Sequence, residues 1–178
     1  MHPELQRALD DADGLLFLCS GNMIRSAFAE IYARHLGIAL PVRSAGTTYS
    51  NTRIHVEAAR ALTARGVVGA EIREFRPQLM HELVPAPRQR ELVFGMTRAH
   101  SHDSRNSGAP GPHFLMLDAV GEPGEIADPY FEGGYEQAFR DLARCVEALT
   151  RTIGTRDGNP SSKPGVFGVG GESDRQRE

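Results

Sequence analysis

The sequence predicts an α/β fold, a four-stranded parallel sheet with helices packed on both faces. Two observations carry that expectation. Four apolar runs of strand length recur along the chain, and segments with helical spacing of apolar residues lie between them. Strands that alternate with helices pair in parallel, because each crossover needs a helix's worth of chain, and such a sheet is buried on both faces. The 178 residues suffice for one domain with a buried core.

In order, residues 1–14 (MHPELQRALDDADG) read as a short, polar helical extension. LLFLC, 15–19, is apolar at every position, as a strand covered on both faces must be. SAFAEIYARHL, 26–36, places Phe28, Ile31, Tyr32 and Leu36 at helical spacing, and Gly37 supplies the stop. A second strand is expected within 38–46 (IALPVRSAG). An amphipathic helix follows over 54–65 (IHVEAARALTAR), ending before Gly66, and a weaker helix is expected from about Pro77 to Val84. RELVFGM (90–96) and PHFLMLD (112–118) complete the sheet, with TRAHSHDS between them as a turn or short helix. The longest helix, 135–153, carries Phe139, Leu142, Val146 and Leu149 on one face. Beyond Gly154 the composition turns to Gly, Pro, Ser and charge, so 155–178 is expected to be a disordered tail and 1–154 a single domain.

A formal net charge of −3 speaks against a nucleic-acid binder, which needs a basic excess. The apolar runs fall far short of the roughly 20 residues of a membrane helix, so no membrane insertion is expected. The first residues lack an apolar signal core, which reads as a cytoplasmic protein. The two cysteines, Cys19 and Cys145, are read as thiols, with no Cys-x-x-Cys pair or His/Cys cluster to hold zinc. His100 and His102 flank Ser101 without a third ligand, and read as a solvated helix end.

The first strand ends inside GLLFLCSGNMIRSAFAEIYARHLG, 14–37. Cys19 closes the apolar run, the loop SGNMIR follows, and a helix begins directly after. Ligands of a parallel sheet gather at the carboxyl ends of its strands, where this loop lies. The first amides of a helix have no intrahelical partner, and its dipole favours an anion. Such a field favours a thiolate over a thiol. Arg25 offers a planar fork for two phosphate oxygens, and Gly21 permits close backbone approach. These residues suit a tetrahedral anion held above a sulfur nucleophile. A cysteine and an arginine at that spacing are common by chance; the strand before, the Ser26 hydroxyl and the helix after set this pair apart.

A second segment, EIADPYFEGGYEQAF at 125–139, supplies what phosphoryl transfer to sulfur also needs, an acid to protonate the leaving oxygen. Asp128 falls on the loop before the last helix, and Pro129 stiffens it. Tyr130 and Phe131 can wall a pocket for a ring. Elsewhere an Asp-Pro pair is an ordinary turn starter.

Together the two segments resemble the low-molecular-weight protein tyrosine phosphatase family. Its hallmark is a Cys-x5-Arg-Ser loop near the N-terminus and a distant Asp-Pro-Tyr loop ahead of the last helix. Here these are CSGNMIRS (19–26) and DPYF (128–131), and the similarity extends through RSAGT (43–47), Arg76, VFGM (93–96) and the final helix, roughly 14–153. The resemblance implies that family's three-layer, flavodoxin-like fold and hydrolysis of phosphomonoesters, first of all protein phosphotyrosine, with no metal and no cofactor. It implies that Cys19 forms a cysteinyl-phosphate. Arg25 and the amides of Ser20, Gly21, Asn22, Met23 and Ile24 would hold the phosphoryl oxygens, with Asp128 acting as acid and then base. Ser26 is implied to hydrogen-bond the sulfur, Asn22 and Ser44 to hold the loop, and Tyr49 and Tyr130 to line the pocket. The implied partner is a phosphorylated protein, with the chain a monomer or weak dimer.

There are departures. Ile24 stands where many members carry a second cysteine, Ala27 where proline is usual, Thr97 where Asp is frequent and Arg73 where histidine is frequent. The segment 47–60 is about two residues short of the family's spacing. Relatives that hydrolyse phosphoarginine tend to carry Thr at the place of Met23 and Phe after the Asp-Pro; bulky Met23 and Tyr130 favour an aromatic ring instead. Arsenate reductases of this fold use two further cysteines, whereas Cys145 reads as a core residue on an apolar helix face. The alternative from another class is a phosphate- or phosphopeptide-binding module with weak or no catalysis. A pure binder has no need of Asp128.

Overall fold

The computed structural model of the chain describes residues 1–156. Its centre is a parallel sheet of four strands, β1 (Gly14–Cys19), β2 (Val42–Gly46), β3 (Glu91–Gly95) and β4 (His113–Leu115), in the order β2-β1-β3-β4. The side chains of β1 alternate between two cores, as the two-residue period of a strand requires. Leu15, Phe17 and Cys19 join the larger core, while Leu16 and Leu18 pack on the other face with Ala45, Val93, Met80 and Leu83. All six residues of β1 are buried, which is why the run is apolar without alternation.

Seven helices flank the sheet among the described residues: α1 (Pro3–Asp10), α2 (Arg25–His35), α3 (Val56–Thr63), α4 (Gly69–Glu74), α5 (Arg98–Asn106), α6 (Pro129–Glu132) and α7 (Tyr135–Ile153). Helix α7 has the bounds its apolar spacing predicts, and packs against α2 through Phe28 and Phe139, whose rings lie 5.0 Å apart. The N-terminal extension is part of the packed core, because Leu5 and Leu9 of α1 are buried in it.

Several expected elements are corrected. The second strand covers only Val42–Gly46. The fourth strand stops at Leu115; the Asp118 carboxylate accepts from the Leu115 amide at 2.7 Å and turns Met116–Val120 into a 3-10 helix. No helix spans 77–84, where only Met80–Glu82 forms a 3-10 turn. The chain there is drawn to the end of β2: the Gly46 amide donates to the Gln78 carbonyl at 2.8 Å, and Leu79 bridges Gly46 in parallel. The short α4 was not expected, since only Ile72 of its six residues is buried. Thr155 and Arg156, assigned by composition to the tail, pair with the body instead. Thr155 bridges Ile38, and the Arg156 amide donates to the Gly37 carbonyl at 2.9 Å. The rest of the expected tail, from residue 157, lies outside the described residues.

Candidate active site

The loop of residues 20–24 leaves β1 and runs directly into α2. Its carbonyls are turned outward and taken by neighbours. The Ser20 carbonyl accepts from the Thr48 and Tyr49 amides at 3.0 and 2.9 Å, and the Met23 carbonyl from the His55 amide at 2.9 Å. Asn51 Nδ2 donates to the Gly21 carbonyl at 2.7 Å. Those carbonyls are held by groups outside the loop, and among the described residues none of the amides of 20–24 donates to a protein acceptor. Asn22 turns the loop with a left-handed φ of 52°. Successive amides converging around such a residue form an anion-binding concavity.

Buried polar groups hold the loop in that shape. Asn22 Nδ2 donates to Ser44 Oγ at 2.7 Å and to Ser26 Oγ at 2.9 Å, while its Oδ1 accepts from the Gln78 amide at 3.0 Å. Ser44 Oγ donates onward to Glu30 Oε2 at 2.5 Å. Ser26 Oγ accepts from Asn22 and lies 3.0 Å from Cys19 Sγ; its own hydrogen has the sulfur and, at 3.5 Å, the Ala45 carbonyl within reach. Burial pushes the Glu30 carboxyl above its ordinary range, against the pull of Arg34 beside it. Ser44 and Asn22 thus sit where the sequence placed them. Glu30, Gln78 and Asn51 are supports it did not single out; the i+4 spacing of Glu30 from Ser26 on one helix face was the available signal for the first.

Arg25 is only 2% exposed. One terminal nitrogen donates to the Ile126 carbonyl at 3.0 Å; the other reaches Ser20 Oγ at 3.4 Å and pairs with Asp128 Oδ2. Its Nε is buried and has no partner among the described residues. An unpaired buried donor on a cation costs free energy, about 1–3 kcal/mol or more, so such a group calls for an acceptor. The Asp128 carboxylate also caps α6, accepting from the Tyr130 amide at 3.1 Å. The loop after the Ile126 carbonyl therefore brings Asp128 to the guanidinium from 103 residues along the chain.

Cys19, Arg25 and Asp128 line one cleft of about 340 Å³. Met23, Tyr49 and Tyr130 form its walls, with Phe131 and Asn51 at the rim. Tyr49, Tyr130 and Phe131 are 57%, 59% and 72% exposed, large apolar surface with no core to join. His55 meets Tyr130 edge-on at 6.0 Å and stacks on Tyr135 at 5.6 Å, bracing that wall.

His100 is a correction. It is not a solvated helix end but a buried residue whose Nε2 lies 3.1 Å from Ser20 Oγ. Burial first, and the positive Arg25 second, push its imidazole down to about 4. His102, two residues on, faces solvent. Cys145 is buried in the core of α7, and burial pushes its thiol up to about 12. Among the described residues no group of three or more His, Cys, Asp or Glu is placed to hold a metal ion, and no helix is long and apolar enough to cross a membrane.

The low molecular weight phosphotyrosine protein phosphatase family matches the chain over residues 14–156. Among curated proteins no sequence matches. Among solved structures, the YwlE arginine phosphatase from Geobacillus stearothermophilus is 27% identical, with a TM-score of 0.63 over 79% of this chain and 92% of its own. The low molecular weight protein tyrosine phosphatase from T. tengcongensis is 25% identical, with a TM-score of 0.62 over 80% of this chain and 100% of its own. Wzb of Vibrio vulnificus, solved in complex with benzylphosphonate, shares the fold at 19% identity, with a TM-score of 0.65 over 80% of this chain and 99% of its own.

Proposed function

Because the chain belongs to the low molecular weight phosphotyrosine protein phosphatase family, we propose that it hydrolyses phosphotyrosine in proteins through a cysteinyl-phosphate intermediate. One observation carries this reading most: Cys19 and Arg25 line one cleft, the amides of residues 20–24 have no protein acceptor among the described residues, and the Arg25 Nε is buried without a partner. That is a site for three oxygens of a phosphoryl group, with sulfur in line behind phosphorus.

In the first step the Cys19 thiolate attacks phosphorus; the S–P bond forms as the P–O bond to the leaving group breaks. A phosphate dianion arriving on Arg25 takes over the guanidinium from the Asp128 carboxyl. That carboxyl, having taken a proton from solvent, gives it to the leaving oxygen as the P–O bond breaks. In the second step Asp128 accepts a proton from water as the water oxygen attacks phosphorus. The S–P bond breaks, inorganic phosphate leaves, and the thiolate is restored, stabilised by the Ser26 hydroxyl. Arg25 and the oriented amides supply the charge that stabilises the transition state.

Met23, Tyr49 and Tyr130 flank the cleft as apolar and aromatic walls, which favours a flat ring over a guanidino group. The likeness to an arginine phosphatase makes phosphoarginine the second reading. The test is hydrolysis of p-nitrophenyl phosphate by wild type and Cys19→Ser at mildly acidic pH with EDTA, followed by matched phosphotyrosine and phosphoarginine peptides. Metal-independent turnover lost in Cys19→Ser, with preference for the phosphotyrosine peptide, is the expected result. Preference for phosphoarginine would reverse the substrate assignment. A folded wild type that binds phosphate without turnover would make the protein a binding module.

A further inference from the structure

The imidazole of His100 is pinned from both sides by groups whose proton roles are known. The Thr97 backbone N–H, which can only donate, points at Nδ1 at 3.1 Å, with the Thr97 hydroxyl at 3.0 Å from the same nitrogen. Nδ1 is therefore the bare, accepting nitrogen, and in the neutral ring the proton sits on Nε2. The ring is neutral at physiological pH because it is buried beside Arg25. Nε2 then donates across 3.1 Å to Ser20 Oγ. Arg25 also donates to that oxygen, at 3.4 Å. A hydroxyl oxygen has two lone pairs, so both are engaged by donors, and the hydroxyl hydrogen has no role left but to donate. Among the described residues no acceptor takes it, and Ser20 lines the cleft with Cys19 and Arg25.

We propose that His100 is a positioning residue that fixes the Ser20 hydroxyl as a hydrogen-bond donor to a phosphoryl oxygen, adding a side-chain donor to the ring of amides. This rests on the phosphatase reading of the same cleft. The turn that places His100 is built into the sheet: at Gly95, the last residue of β3, a Cβ would lie 2.8 Å from the Thr97 carbonyl oxygen and 2.5 Å from Ser101 Oγ. Only glycine lets α5 start so close to the strand and lay its first turn on the phosphate loop.

The proposal is tested on the full chain in two ways. Nitrogen-15 NMR of the imidazole, assigned by loss of its signals in His100→Gln, should show Nε2 protonated and Nδ1 bare; the opposite tautomer would overturn the proposal. A double-mutant cycle on p-nitrophenyl phosphate turnover should show Ser20→Ala lowering kcat by about tenfold or more, the usual worth of a hydrogen bond to a charged group. His100→Leu should lower it likewise, and His100→Gln less, because its amide returns a donor near the Nε2 position. Adding His100→Leu to Ser20→Ala should cost nothing further; additive losses would show that His100 acts elsewhere and defeat the idea. Should His100→Leu fail to fold, His100→Gln and the tautomer measurement still decide. If the wild type proves inactive, the phosphatase reading falls, and inorganic phosphate binding takes over as the readout. Ser20→Ala should then weaken phosphate by about tenfold, and unchanged affinity would refute the Ser20 donor.

Discussion

Asp128 rests on the Arg25 guanidinium while capping α6 through the Tyr130 amide, and so lines the same cleft as Cys19. Replacing it with Ala should slow hydrolysis by about 10²–10³-fold, within the range of general acid catalysis. The loss should be smallest for p-nitrophenyl phosphate and grow as the leaving group becomes more basic; a flat dependence across aryl phosphates would remove Asp128 from the acid role. The two thiols should separate sharply. Iodoacetamide at neutral pH is expected to label Cys19, which opens on the cleft, and to spare Cys145, whose thiol is buried and pushed up to about 12. Mass spectrometry of the labelled peptides reads this directly. His100 sets a pH dependence of stability. Its imidazole falls from an ordinary 6.5 to about 4 on folding. Between those values the unfolded chain binds more protons, so stability is lost as pH falls from about 6.5 toward 4. Melting temperatures across that range should decline less steeply in His100→Gln than in wild type. Sequence reading singled out Cys19, Arg25 and Asp128, which line one cleft, but put His100 in solvent, because one turn of α5 buries it against a loop 80 residues earlier.

At the scale of elements, the loop of residues 20–24 is shaped by the end of β2. Gly46 pairs with Cys19, and a Cβ there would stand 3.0 Å from the Ser20 carbonyl oxygen and 3.2 and 3.3 Å from the Gly21 and Asn22 backbone. Those contacts are with backbone, which cannot swing aside as a flexible side chain can. Gly46→Ala should therefore push the loop out of register, lowering kcat by about tenfold or more, with a smaller effect on melting temperature. An unchanged kcat would mean that the loop tolerates the shift. The amphipathic helices were legible because periodicity is local. Residues 77–79 were misread as helix because what sets them is non-local: hydrogen bonds to Gly46 and Asn22 across the end of the sheet. Tertiary pairing of that kind overrides propensity.

Across the whole molecule, a buried ion pair lies at the opposite end of the sheet from the candidate site. Glu91 begins β3 beside Gly14, and its buried carboxylate takes two hydrogen bonds of 2.7 Å from Arg43. Removing one partner of a buried pair costs about 3 kcal/mol, because the other charge is left uncompensated. Glu91→Ala should lower the free energy of unfolding by about that amount in urea titration, with kcat unchanged in the folded fraction. A matching fall in kcat would mean that the two ends are coupled. The chain's own order of residues determined the sheet, since burial on both faces demands unbroken apolar strands with amphipathic crossovers between them. It also determined the loop after β1, where strand, glycine, arginine and helix start are neighbours in sequence. Tertiary structure alone decided what else meets that loop: His100 on Ser20, Gln78 on Asn22, and the carbonyl partners supplied by 47–55. The reason is physical. Periodicity and capping act within a few residues and leave their mark in a window of sequence. A hydrogen bond between residues 80 positions apart depends on how the crossovers pack, and no local pattern records it.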